Sequence, residues 1–135
     1  MGRVNFNPTA NIIILDVTLF SGTSTDFRNT TLVFDTGASM TTISPDSILG
    51  LGYDLSNPKS KKPSITASGT IESKVITLSR LSALGEIVEN IDVAIQEFPE
   101  ELTLLNIHGL LGLDFLKHFD VNICFSLGFI DIKRI

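Results

Sequence analysis

The sequence predicts a mainly-β fold, built of short strands with two short helices. Three observations carry that expectation. β-Branched residues are common, with Thr and Ser recurring along the chain, a composition that suits strands. Several stretches alternate apolar and polar residues, the period of a strand with one buried face. The two stretches of helical character are too short to cover a parallel sheet, which argues against a doubly wound α/β architecture. At 135 residues, 43% of them hydrophobic, the chain is expected to form a single domain over residues 1–135 with a substantial core.

Asn11 to Phe20 reads as a first strand, rich in Ile, Leu and Val. The loop Ser21-Gly22-Thr23-Ser24-Thr25-Asp26 turns it into a second, Phe27 to Phe34. Asp35-Thr36-Gly37 is too polar and too glycine-marked to extend that strand, and Thr41-Thr42-Ile43 is a further short one. Ser44-Pro45-Asp46 reads as a helix start, with a capping hydroxyl, a proline in the first turn and an acid near the positive end. Gly50 and Gly52 soon stop it; they mark a helix end rather than a phosphate loop. Asn57 to Pro63 reads as a loop. Thr70 to Leu81 and Ile87 to Ile95 read as strands about a bend at Leu84-Gly85-Glu86, with Ile91, Val93 and Ile95 on one face and Asp92 on the other. In the stretch from Gln96 to His108, Pro99-Glu100-Glu101-Leu102 is the one candidate helical turn. Leu113 to Phe119 has an apolar helical face, Leu113 with Leu116 and Phe115 with Phe119. Val121, Ile123, Phe125 and Leu127 alternate as a strand, and Gly128 separates them from a last one at Phe129-Ile130-Asp131-Ile132.

The net charge of −5 argues against nucleic acid as a partner, which requires a basic stripe to replace phosphate counterions. Lys59, Lys61 and Lys62 form the only basic cluster and read as a solvated face. Cys124, the single cysteine, permits no intrachain disulfide and is expected in the core; this fits a reducing compartment, with the cytoplasm as the expected location. No stretch approaches the ~18 apolar residues of a membrane span, and Asn5, Asn7, Pro8 and Asn11 interrupt what a signal peptide requires after Arg3. His108 and His118 lack the spacing and neighbours of a zinc site.

Candidate chemistry centres on Asp35. Asp46, Asp92 and Asp114 have ordinary explanations, in a first helical turn, on a strand's polar face and as a helix cap. Asp35 instead ends a run of large apolar residues, Leu32-Val33-Phe34, where an ionised carboxylate costs several kcal/mol unless it is paired or hydrogen-bonded. Gly37 allows a close backbone approach, amide hydrogens in such a turn can point at the acid, and Thr36 and Ser39 bring hydroxyls nearby. Two carboxylates sharing one proton activate water well: the ionised member takes a proton from water while the protonated one donates to a carbonyl oxygen. Asp-Thr-Gly occurs once in the chain, so paired-acid chemistry requires a second copy across a two-fold axis. On the residues alone, a simple turn whose aspartate bonds its own backbone is an equal reading.

Leu32-Val33-Phe34-Asp35-Thr36-Gly37-Ala38-Ser39 followed by Thr42-Ile43-Ser44 resembles the active-site loop of the retroviral-type (retropepsin-like) aspartic proteases. Leu110-Leu111-Gly112 followed by Leu113-Asp114-Phe115-Leu116 is similar to that family's second signature, and Ile65-Thr66-Ala67-Ser68-Gly69-Thr70 sits where the family carries its flap. The resemblance runs in order from about Asn11 to Ile132. It implies an all-β, closed acid-protease-type β-barrel with one or two short helices, a flap at about 64–74 and a C-terminal helix at about 113–119. It further implies an aspartic endopeptidase active as a homodimer on peptide or protein substrates, without metal or organic cofactor and without a nucleic-acid or membrane partner. Asp35 of each copy would be catalytic. Thr36 would reach across the axis, Gly37 would keep the loop tight, and Ala38 would line the cleft, with Ser39 completing the loop. Ala67, Ser68 and Gly69 would form the flap tip, and Leu110, Leu111 and Gly112 would pack behind the acid. The competing reading is a non-catalytic dimerisation or peptide-binding module of the same fold; binding alone, however, demands no acid at position 35. Three departures from the family stand out: a flap tip without an aromatic residue, since Tyr53 lies elsewhere; the stretch Gln96 to Ile107, expected to be an insertion; and the Ser126-Leu127-Gly128 turn within a segment, Phe125 to Ile135, expected to supply an intersubunit strand.

Overall fold

The computed structural model describes the backbone of residues 2–66 and 69–135, with side chains throughout these except at 64 and 66. Its elements in order are β1 (Gly2–Asn5), β2 (Ile14–Phe20), β3 (Phe27–Phe34), β4 (Thr42–Ile43), a 3-10 turn (Pro45–Ile48), β5 (Ser60–Thr66), β6 (Gly69–Ala83), β7 (Glu86–Ile95), α1 (Glu100–Leu104), β8 (Gly109–Leu111), α2 (Leu113–Leu116), β9 (Phe119–Cys124) and β10 (Phe129–Arg134).

Hydrogen bonding runs from β2 to β3, β8, β4, β7 and β6 in turn, and β6 returns to β2, so six strands close a barrel. Closure leaves no free edges in the ring. β5 hangs outside it on β6, and β1, β10 and β9 form a separate antiparallel sheet. This is the mainly-β fold with short helices that the sequence pattern predicts, closed into the barrel that the family resemblance implies. Period-two patterning builds it: Leu15, Val17 and Leu19 of β2 are buried while Ile14 and Asp16 are exposed, and Leu15 lies opposite the fully buried Leu32 of β3. Leu78, Leu81, Val93, Leu111 and Phe115 fill the same interior.

β6 holds the barrel and its appendage together, pairing with β5 at its start, β7 along its length and β2 at its end. The β6–β7 hairpin turns on Leu84 and Gly85, both with positive φ (57° and 77°), as the tight turn matching strand twist requires. Leu84 tolerates this conformation while its side chain is buried.

Several expectations change in the structure. The first barrel strand starts at Ile14, not Asn11, although Ile13 O still accepts from Phe34 N at 2.8 Å. Ser60 to Pro63, expected as loop, belongs to β5; its pairing with β6 supplies the ladder that local composition does not reveal, and an edge strand tolerates Pro63. β1 likewise becomes a strand through β10, pinned by Arg3 donating to both Asp131 oxygens at 2.6 and 2.9 Å. The expected helix after Ser44 is a 3-10 turn, and the Ser44 hydroxyl meets the Ser47 hydroxyl (2.9 Å) instead of capping backbone. α2 stops at Leu116, and Phe119 already opens β9. Phe125 and Leu127 do not continue β9; they sit exposed in the β9–β10 turn, with Phe125 edge-on to Phe6. Cys124 is half-buried at the end of β9, beside Ser126, rather than in the core. β10, expected to pair with a second copy, is already paired on both sides within the chain.

Asp92 of β7 ties β6 and the segment leading into β5 to its own strand: it accepts from Lys59 Nζ at 2.7 Å and from Thr77 Oγ1 at 2.6 Å. The Lys59 hydrogen bond, then that of Thr77, holds its carboxyl below the ordinary carboxylate range. A folded-state value below the unfolded one stabilises the protein above about pH 4 and stops doing so as the pH falls through the folded value. Asp92→Asn is therefore expected to lower stability at pH 7 by less than about 1 kcal/mol, the pair being partly solvated. The gap between variant and wild type in urea unfolding should close on acidification; a gap that persists at low pH would contradict this account.

Candidate active site

The site begins with β3. Val33 and Phe34 pair in parallel with Leu110 and Leu111 of β8, while Thr42 and Ile43 of β4 pair with Leu110 and Gly109 on its other side. β8 thus threads between the two strands that the loop 35–41 connects. With strands about 4.8 Å apart, the loop must span roughly two strand spacings above one central strand, and its ends cannot drift.

Asp35 follows the last pair of β3, its N–H donating to Leu111 O at 3.0 Å. Its side chain is half-buried. The Gly37 N–H donates to Asp35 Oδ1 at 2.9 Å and the Ala38 N–H to Asp35 O at 3.2 Å. A Cβ on Gly37 would stand 3.1 Å from Asp35 Oδ1, so glycine is what lets the amide reach the acid at this distance. Asp35 Oδ2 has no hydrogen-bond partner among the described residues. Thr36 is exposed beside it. The hydroxyl of Ser39 lies further along and accepts from Lys62 Nζ at 3.2 Å.

The loop's far end is tied down by residues that sequence reasoning missed. Thr41 is fully buried; its N–H lies 2.9 Å from both Asp114 oxygens, and its hydroxyl donates to Asp114 Oδ1 at 2.6 Å. The same hydroxyl accepts from Gly112 N at 3.0 Å, and Leu113 N donates to Ala38 O at 2.8 Å. A Cβ on Gly112 would fall 2.7 Å from Ala38 O and 2.9 Å from Met40 C. Leu110, Leu111 and Gly112 therefore lie directly behind the loop, with Gly112 as the point of backbone contact. Asp114 reads locally as a helix cap, and nothing in its neighbourhood along the chain points to a partner seventy-three positions away.

Two hollows border the loop. One, of about 490 Å³, lies between loop residues Ala38, Ser39 and Met40, the β5 residues Lys62 and Ile65, and Gln96 after β7. The other, of about 470 Å³, holds Asp35 and Thr36 together with the apolar Phe6, Ile12, Phe34 and Phe125. Of the expected flap tip, Ala67 and Ser68 lie outside the described residues; Gly69 begins β6, paired with Thr66.

A closed barrel whose Asp-Thr-Gly loop rests on a Leu-Leu-Gly strand defines the acid-protease class. The chain belongs to the family described as "gag-polyprotein putative aspartyl protease", whose model matches residues 23–118. Its fold is similar to the crystal structure of a retropepsin-like aspartic protease from Rickettsia conorii, with a TM-score of 0.63 and 19% identity over 96% of this chain and 87% of that one. No curated protein sequence matches it.

Asp114→Ala leaves the buried Thr41 N–H and hydroxyl without their acceptor, which is expected to destabilise the chain by about 1–3 kcal/mol. Asp114→Asn, which keeps one acceptor oxygen, should lose less. Gly112→Ala should cost a similar amount by overpacking, about 1–3 kcal/mol. Chemical denaturation of the three variants measures this, and wild-type stability of Asp114→Ala would refute the tie.

Proposed function

We propose that the chain is an aspartic endopeptidase that hydrolyses peptide bonds with a dyad of Asp35 carboxylates, one from each copy of a homodimer. The observation that carries this reading is Asp35 itself: an acid on the rim of a cleft, oriented by the Gly37 amide, with one oxygen left open. The obvious second acid of the same chain, Asp114, is committed to Thr41 and Phe115 N, so the partner carboxylate comes from a second copy. The apolar hollow around Asp35 and Thr36, lined also by Phe6, Ile12 and the exposed Phe125 (66%), supports association through that face, since such clusters favour burial against a partner. Packing two copies there brings like charges close, and one carboxylate of such a pair keeps a proton.

The reaction needs nothing beyond the two acids. The ionised carboxylate takes a proton from water as the oxygen attacks the scissile carbonyl carbon, and the protonated carboxylic acid donates to the carbonyl oxygen. The tetrahedral intermediate collapses as its C–N bond breaks: the leaving nitrogen takes a proton from the carboxylic acid of the dyad, and the other carboxylate takes one from a hydroxyl of the intermediate, which restores the single shared proton. The substrate lies extended between the loop and the β5–β6 hairpin, main chain against main chain, with alternate side chains entering the hollows. The hairpin acts as the flap, closing over the peptide and excluding water.

Asp35→Asn is expected to reduce cleavage of a diverse peptide library by about a thousandfold or more across a pH series while sedimentation still shows the wild-type dimer. Cleavage at the wild-type rate by this variant would end the proposal. Thr36→Ala is expected to lower activity together with dimer affinity; a fully active monomer on sedimentation would remove the two-copy dyad.

A further inference from the structure

The three lysines of the basic cluster have different fates. Lys59 is paired with Asp92 at 2.7 Å and Lys61 with Glu72 at 3.5 Å. Lys62 forms no ion pair among the described residues. Lys62 instead lines the hollow beside the loop, together with Pro63 and Ile65 of β5. There its ammonium donates to Ser39 Oγ at 3.2 Å. A serine oxygen that accepts from Lys62 has its own hydroxyl hydrogen left to donate. Ammonium and hydroxyl together present hydrogens of one polarity at the wall of the cleft, on a loop that begins with Asp35 four positions earlier.

From this we infer that the cleft selects substrates carrying an acidic side chain close to the scissile bond, with Lys62 and Ser39 as the residues that bind it. The inference deepens the proposed hydrolase and rests on it for the identity of the ligand as a peptide. A carboxylate has two acceptor oxygens, matching one ammonium and one hydroxyl donor, and charge-assisted hydrogen bonds are the stronger kind. A basic side chain at the same place meets an unneutralised like charge. An overall negative protein attracts acidic peptides only where a local cation reverses its field, and among the described residues lining this hollow Lys62 is the one cation. Lys62 and Ser39 are specificity residues, and the hydrolytic steps do not run through them.

The test uses extended peptides of one common sequence in which Glu, Gln or Lys is placed at each position in turn. Glu is expected to exceed Lys in kcat/KM by about tenfold at one position at low salt, and the preference should shrink as ionic strength rises. Lys62→Glu should reverse the order and Lys62→Met should flatten it. The same peptides, fluorescently labelled, are titrated against Asp35→Asn by anisotropy, which reads the preference without hydrolysis. Cleavage with no preference for Glu in the wild type overturns this inference and leaves the hydrolase standing. A Glu preference in binding without any wild-type cleavage overturns the hydrolase and upholds the acidic site. A preference unchanged in both Lys62 variants removes Lys62 from the role, and no binding and no cleavage of any peptide overturns both.

Discussion

The loop 35–41 is held by a backbone-to-backbone contact at Gly112, and the rest of the site depends on it. Any side chain there would stand inside the van der Waals distance of Ala38 O and Met40 C. Because nothing intervenes, the Thr41 hydroxyl can accept from Gly112 N while donating to Asp114, and Leu113 N can reach Ala38 O. Each of these is a modest interaction in water. In a buried spot, with Thr41 excluded from solvent, leaving any of them unmade is costly, and that asymmetry gives the loop one conformation.

The loop's two ends obey the same logic by different means. Its start is governed by the sheet: β3 and β8 run parallel, and Asp35 N takes the next carbonyl of β8 after the last pair. Its end is governed by side chains, Asp114 and Thr41. Between them, Gly37 aims an amide at the acid. An acid fixed from both sides is preorganised, the condition under which its electrostatics contribute most to a reaction. Among the described residues, β5, which faces this loop, has its strand pairing on β6, so the two walls of the cleft differ in support: one is lashed to the barrel, the other is laddered along a single strand and tied to the loop through Lys62 and Ser39.

The barrel strands were legible because burial writes a period into them. The sequence pattern marks Phe27 to Phe34 to its ends, and Leu84-Gly85 lies in the bend where the structure has its tight turn. Asp35 was legible as an anomaly, an acid after three apolar residues. What escaped was everything whose reason lies far away along the chain. β1 and β5 carry polar and basic residues and a proline, and they become strands only because β10 and β6 offer ladders. Phe125 and Leu127 carry a strand's alternation but lie in a turn, since the register of β9 with β10 closes at the Cys124–Phe129 pair. The lysine cluster is uniform in one dimension; in the fold Lys59 pairs with Asp92 and Lys61 with Glu72, while Lys62 reaches the loop.

The sequence by itself determined a mainly-β chain, the alternation that fills the barrel, and the one acid placed where burial demands a reason, because hydrophobic period and turn chemistry are local properties. The tertiary structure alone decided that β8 lies between β3 and β4, that Asp114 serves Thr41 as well as its own helix, and that Lys62 faces the cleft. Those depend on which distant segments share a ladder or a carboxylate, and a one-dimensional pattern holds no distance between them.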